Sequence, residues 1–389
     1  MRFGILGAGV IGTVHARLIA SIPDDEATLV AVADTSGEAA ERLAGANGCV
    51  ALSGVEDLVA RDDVDAVSVC LPSGLHAKAA VTALDAGKHV IVEKPIDITL
   101  AAADEIIAAE RRSGRVVTVI SQRRFQPGFR FLHDAAASGW LGRVTLAIAE
   151  STFWRSQGYY DSDDWRGTLA LDGGGALMNQ GIHALDLVTW IMGKPVEVSA
   201  YSATLAHERI EVEDTLTASI RFAGGALATL TATTGAYPDR PVRLTVTGDA
   251  GTAVVANERL AYLSTRDSEL GDLTTGAGGG PGGSESAGTA LAGTGLAGTG
   301  LAGTAPVGTV FTGTEFTGTE FTGTGDPVRD ASTPIHVDDA HRAQYLDFLA
   351  AVRDHRPPLV TTADGRRALA LVLASYESAR SGGQPVAVA

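Results

Sequence analysis

A chain of 389 residues, 45% of them hydrophobic and only 5% aromatic, is long enough for two domains with cores built from Ala, Val, Leu and Ile. The 46 acidic against 30 basic residues give a formal net charge of -16, and no Lys/Arg cluster offers a footprint for a phosphate backbone, so nucleic acid is not an expected partner. Cys49 and Cys70 are too few for a disulfide framework or a CxxC zinc site and fit a reducing cytoplasm, and no apolar run reaches the roughly eighteen residues of a membrane span.

The opening MRFGILGAGVIG is too broken by glycine for a secretory leader and reads as a strand and turn. Short β-branched runs stand at 2–7 (RFGILG), 28–34 (TLVAVAD), 64–72 (VDAVSVCLP), 88–95 (KHVIVEKP) and 115–121 (RVVTVIS), with helical stretches such as GLHAKAAVTALDAG between them. This rhythm predicts a doubly wound parallel sheet over residues 1–121. Its first turn carries Gly7, Gly9 and Gly12 as GxGxxG: one glycine for a tight turn, one for close approach of a pyrophosphate, one for packing helix on strand. Asp34 follows about twenty residues later at the end of the second strand, where a carboxylate accepts from an adenosine ribose and repels a 2′-phosphate. With Thr35, Ser36 and Gly37 after it and no Arg beside it, NAD is expected rather than NADP.

Glu93-Lys94-Pro95 ends a strand, and ligands of open α/β sheets bind outside the carboxyl ends, so Lys94 projects where a nicotinamide would lie. On its own, the same triplet reads as a strand-ending proline beside a solvated lysine. Farther on, SQRRFQPG places Arg123 after the last strand of this sheet, and YYDSDDWRGT places Tyr159, Tyr160, Trp165 and Arg166 before a glycine-led helix. In GGGALMNQGIHALDLVTW, a helix beginning near Gly175 puts Asn179 and His183 at i and i+4 on one face, with Asp186 on the same side. A histidine there reads by itself as a core residue, and without the second His of an HExxH spacing no metal is expected. Residues 288 to 325 form a five-residue Gly/Thr repeat inside a low-complexity insertion at about 268–332, expected to be disordered or loosely extended rather than a short β-helix.

The order and spacing of GxGxxG, EKP and the glycine-led helix with His183 resemble the glucose-fructose oxidoreductase and inositol dehydrogenase family, Gfo/Idh/MocA. The resemblance extends through CLPSGLHAKAAVTALDAGKHVIVEKP, WRGTLALDGGGALMNQGIHALDLVTWIMG and the tail from HRAQYLDFL, leaving out only about 268–332. It implies an N-terminal Rossmann domain, 1–121, and a C-terminal α/β domain, 122–389, with a large, mostly antiparallel open sheet whose face often forms a homo-oligomer, dimer or tetramer. It implies an NAD(P)-dependent dehydrogenase moving hydride between nicotinamide and a secondary hydroxyl of a sugar, glycoside or cyclitol. In such proteins the histidine and the EKP lysine flank the reacting carbon, which makes His183 the base and Lys94 the stabiliser of developing negative charge, with Asn179 beside them. The cofactor set is then Gly7, Gly9, Val10, Ile11, Gly12, Asp34, Leu71, His76, Glu93 and Lys94. The substrate set is Arg123, Trp165, Arg166, Asn179 and His183, although Trp165 and Arg166 also read as a loop held by a buried ring and a surface ion pair. Many members carry Asp four residues before the histidine; Asn179 can orient a hydroxyl but neither accepts a proton nor raises the imidazole pKa, which bears on any transfer of the cyclitol substrate. A non-catalytic nicotinamide-binding regulator and a reductase of a dihydrodiol or keto-sugar are the competing readings.

Overall fold

The computed structural model describes residues 1–240, 242–266, 268–272, 328, 331 and 337–389, so nearly all of the expected insertion at about 268–332 lies outside the described residues. The β-branched runs form β1 (Arg2–Leu6), β2 (Thr28–Ala33), β4 (Ala66–Val69), β5 (His89–Val92) and β6 (Val117–Val119), and β3 (Val50–Leu52) joins them. All pairs are parallel, in the order β3-β2-β1-β4-β5-β6. The chain reverses direction across the sheet between β1 and β4, the crevice where doubly wound folds bind dinucleotides. Strands such as β4, buried at every position, read as unbroken apolar runs because helices cover both faces. Those helices are α1 (Val10–Ala20), α2 (Gly37–Asn47), α3 (Val55–Val59), α4 (His76–Asp85) and α5 (Leu100–Ser113).

One face of this sheet is finished from far along the chain. Tyr345, Phe348 and Leu349 of helix Val337–Arg353 pack into the cluster of Phe3, Ile5 and Ile19. The Phe3 ring lies 5.6 Å from that of Tyr345 and 6.3 Å from that of Phe348. Gln344 receives a bond from the Ser121 N–H at 2.9 Å and donates to the Val119 carbonyl at 2.8 Å, tying the helix to the end of β6.

The second sheet follows α6 (Pro127–Ala137) and includes β7 (Val144–Thr152), which precedes α7 (Gln157–Tyr160) and α8 (Ile182–Met192). Its other strands are β8 (Pro195–Ala203), β9 (Thr215–Phe222), β10 (Leu227–Thr233), β11 (Arg243–Gly248), β12 (Gly251–Ala256), β13 (Arg259–Thr265), β14 (Ser268–Asp272) and β15 (Val386–Ala387). The order is β14-β13-β12-β11-β7-β10-β9-β8-β15, antiparallel except where β7 meets β10. β9 alternates buried and exposed, its Leu216, Ala218, Ile220 and Phe222 facing the core shared with α8 and helix Thr362–Arg380. That last helix opens on a capping box between Thr361 and Asp364. On the opposite face the registers set Ile148, Thr245, Val254 and Tyr262 in one row, with Leu146 and Leu227 paired beside it. Among the described residues, no helix is long and apolar enough to cross a membrane.

Candidate active site

The turn from β1 into α1 is shaped by its glycines. Gly7 sits at φ +99°, where a Cβ would run into the carbonyl of Cys70, and a Cβ on Gly12 would strike the carbonyl of Gly7. Around Gly9 nothing stands within 4 Å of a Cβ position, so this side of the turn is open. Gly9 is also the N-cap of α1 and brings no capping side chain, which leaves the first N–H groups, with Val10 exposed and Ile11 partly buried beside them, to meet an anion at the helix terminus. Asp34 accepts from Ala8 N at 2.7 Å through one oxygen and from Ser36 N at 2.8 Å through the other. Each of its oxygens keeps further acceptor capacity, so the donor and acceptor set fits a dinucleotide.

Two residues expected in the cofactor site direct their side chains into buried hydrogen bonds. His76 is fully buried, with its ring nitrogens each 2.8 Å from a carbonyl, that of Leu71 or that of Pro95, so it braces the loops after β4 and β5. Leu71 itself is partly exposed, next to the glycine turn. Glu93 turns inward too, meeting His15 Nε2 at 2.9 Å and the N–H of Lys94 at 3.0 Å. The His15 ring also reaches Ser68 Oγ at 2.6 Å and Tyr345 OH at 2.8 Å. Burial opposes the charge on Glu93, yet the bond and charge of His15 hold it down to about 2; burial likewise opposes charge on His15, which Cys70 and Glu93 push up to about 10.

Lys94 precedes a cis bond to Pro95 and donates from Nζ to the carbonyl of Asn179 at 2.9 Å. Burial lowers its pKa, Glu93 and Asp172 resist, and Arg155 and Arg166 add to the lowering. The expected helix from Gly175 differs in its first turn: Leu177–Gly181 is π-helical, and α8 begins only at Ile182. A Cβ on Gly175 would collide with the carbonyl of Glu213, whose carboxylate takes the N–H groups of Gly175 at 3.0 Å and Leu177 at 2.8 Å and the hydroxyl of Tyr376 at 3.0 Å. Burial pushes Glu213 up to about 7. Asn179 donates its side-chain amide to Asp172.

His183 is partly buried, and its ring makes no hydrogen bond among the described residues. Burial first, then the charges of Lys94 and Arg123, hold its pKa well below the ordinary value. Asp186, on the expected same side, is committed elsewhere: Arg124 donates to it at 2.8 and 2.6 Å, and the Ser121 hydroxyl bonds to it as well. Lys94, His183, Ser121 and Asp186 line a cavity of about 20 Å³, room for one water, between the Lys94 loop and α8.

Arg123 is buried, 3.4 Å from Glu258 through Nη1, while its Nε has no partner among the described residues. Arg166 lies between the rings of Tyr159 and Trp165, at 4.5 and 4.6 Å, and pairs with Asp163 at 2.8 Å. The ion pair expected of this loop is present, while Trp165 is half-buried rather than buried. Asp172, Arg155, Glu213 and His15 were not singled out by sequence; only Asp172 carried a signal, by its place directly before the glycine run.

Residues 1–121 match the oxidoreductase family with an NAD-binding Rossmann fold, and residues 129–254 match the GFO/IDH/MocA C-terminal domain. The inositol 2-dehydrogenase of Rhizobium meliloti (strain 1021) is 31% identical over 263 residues, 67% of this chain and 76% of that one. The WlbA dehydrogenase from Bordetella pertussis, in complex with NADH and UDP-GlcNAcA, is 28% identical with a TM-score of 0.77, covering 100% of this chain and 98% of that one. A levoglucosan dehydrogenase in complex with NADH and levoglucosan shares the fold at 21% identity and a TM-score of 0.80, covering 100% of this chain and 99% of its own.

Proposed function

Since the chain belongs to the GFO/IDH/MocA family of NAD-binding oxidoreductases, we propose that it is a dehydrogenase exchanging hydride with a secondary hydroxyl or ketone of a sugar, glycoside or cyclitol. The observation that carries this reading is the bond from Lys94 Nζ to the carbonyl of Asn179, which joins the loop at the carboxyl end of β5 to the turn leading into His183. NAD supplies, when bound, the nicotinamide ring that accepts or returns hydride. The chain's own residues handle the proton and the charge. His183, neutral near pH 7 and with no bond to break, takes the hydroxyl proton. Lys94 donates to the same oxygen as negative charge builds there. Asn179, its amide held by Asp172, orients a neighbouring hydroxyl, and Arg123, Trp165 and Arg166 border the ring.

In this reading residues 1–121 hold the cofactor and residues from 122 onward supply most of the substrate site. The open face of the second sheet, with Leu146, Ile148, Tyr201, Leu227 and Tyr262 exposed, supports a homo-oligomer built through that face. Cys49 and Cys70, both free thiols, support a reducing, cytoplasmic setting.

A panel of cyclitols, anhydrosugars, aldoses and nucleotide-linked uronates, followed by NADH absorbance, tests the proposal. At least one member should produce or consume NADH. Tight NADH binding with no turnover of any member in either direction would replace the dehydrogenase by a nicotinamide-binding regulator.

A further inference from the structure

We propose that Asp172 is a positioning residue whose carboxylate, bonded to the side-chain amide of the same Asn179 whose carbonyl holds Lys94 Nζ, is a counter-charge that keeps the Lys94 ammonium intact within the site. Asp172 is 2% exposed, and one oxygen is fixed by the N–H of Gly167 at 2.8 Å while the other takes the amide of Asn179. The same Asn179 offers its backbone carbonyl to Lys94 Nζ at 2.9 Å. One residue therefore touches the carboxylate with its side chain and the ammonium with its main chain, and the two charges are held at a set separation across it.

The surroundings make this carboxylate matter. Lys94 is faced by Arg155 from the segment after β7, by Arg166 from the loop before the π-helical turn, and by His183 from α8. The two arginines, and burial itself, favour loss of the lysine proton. Two carboxylates oppose them, Glu93 and Asp172. Glu93 is already paired with His15, so much of its field is taken up. Asp172 has only neutral hydrogen-bond donors, with Lys94 and Arg166 as its charged neighbours and Tyr160 nearby. Its own charge is disfavoured by burial and sustained by those two bonds and two cations, so the lysine and the aspartate support each other's ionised state.

The chemical consequence is a limit at high pH. A neutral amine stabilises an alkoxide far less than an ammonium does, so activity should fall as pH rises through the pKa of Lys94, and Asp172 sets how high that limit lies. This consequence in turnover rests on the dehydrogenase reading; the charge of Lys94 does not, and it is measured separately. Competitive labelling of amines across a pH series, read at the Lys94 peptide by mass spectrometry, reports the lysine directly. In Asp172→Asn the Lys94 titration should move down by about one pH unit or more, the scale of a lost neighbouring charge. The double variant Asp172→Asn/Asn179→Asp exchanges carboxylate and amide across the same hydrogen bond and should restore most of it. If Asp172→Asn does not fold, the exchange variant is compared with Asn179→Asp, which has both carboxylates, and should titrate lower. A Lys94 titration unmoved in these comparisons overturns the proposal whether or not a substrate is known. With a substrate, the alkaline limb of kcat should shift by the same amount while KM for NAD stays put; a loss of activity at all pH values alike would mark Asp172 as merely structural.

Discussion

If, as proposed, His183 and Lys94 divide one task, each should matter to the chemical step far more than to the cofactor. His183→Ala should lower turnover by roughly 10²–10⁴-fold and Lys94→Ala at least as much, with NADH affinity by fluorescence nearly unchanged. A fully active His183→Ala enzyme would return the histidine to the core. The acid limb of the pH profile belongs to His183, which cannot accept a proton once protonated, and its depressed pKa places that limb well below neutrality. Asn179→Asp adds a negative charge nearby, raises that pKa and should move the limb upward; an acid limb that stays in place would show that Asn179 does not sense the ring. Asp34→Ala should narrow the preference for NAD over NADP by removing repulsion of a 2′-phosphate, and NADP preferred by the unmodified protein would refute the role given to that carboxylate. At this scale the motifs were legible and the partners were not. The EKP triplet and the glycine-led helix stand out by their spacing, whereas the bond between Asn179 and Asp172 depends on how a glycine run folds back. The inward turn of His76 and Glu93 was equally hidden, since only the packed structure shows which carbonyls and which histidine they meet.

Elements long enough to show a period were readable, and the short or irregular ones were not. β3 has three residues, too few for alternation to appear, and at the π-helical turn two N–H groups, those of Gly175 and Leu177, are captured by Glu213 from the segment before β9. A third unreadable feature is the buried network that ties α1, β4, the Lys94 loop and helix Val337–Arg353 through His15, Ser68, Glu93 and Tyr345. Its effect on stability has a definite sign. His15 is raised from 6.5 to about 10, so its contribution is whole below pH 6.5 and is lost as pH climbs through 10. Glu93 is lowered from 4.5 to about 2, so its contribution is whole above pH 4.5 and is lost as pH falls toward 2. The melting temperature of the native protein should therefore fall more steeply between pH 6.5 and 10 than that of His15→Gln; parallel curves would show that the pair carries no linked charge.

For the molecule as a whole, the unpaired face of the nine-stranded sheet is the surface proposed for contact between copies. Ile148→Asp at its centre should reduce the mass seen by sedimentation without changing NADH affinity, and an unchanged mass would place the interface elsewhere. The path of the chain between the two lobes has another effect, one that begins before the protein is finished. Tyr345, Phe348 and Leu349 cover a face of the first sheet, yet the ribosome makes that sheet first and must add residues 122–336 before helix Val337–Arg353 emerges. At about 5–20 residues per second the nascent chain carries Phe3 and Ile5 uncovered for roughly ten to forty seconds. The first sheet should therefore carry this apolar face uncovered while the rest of the chain is made. Residues 1–121 expressed alone should bind apolar dyes and aggregate, and fusing residues 337–353 to that fragment should suppress both.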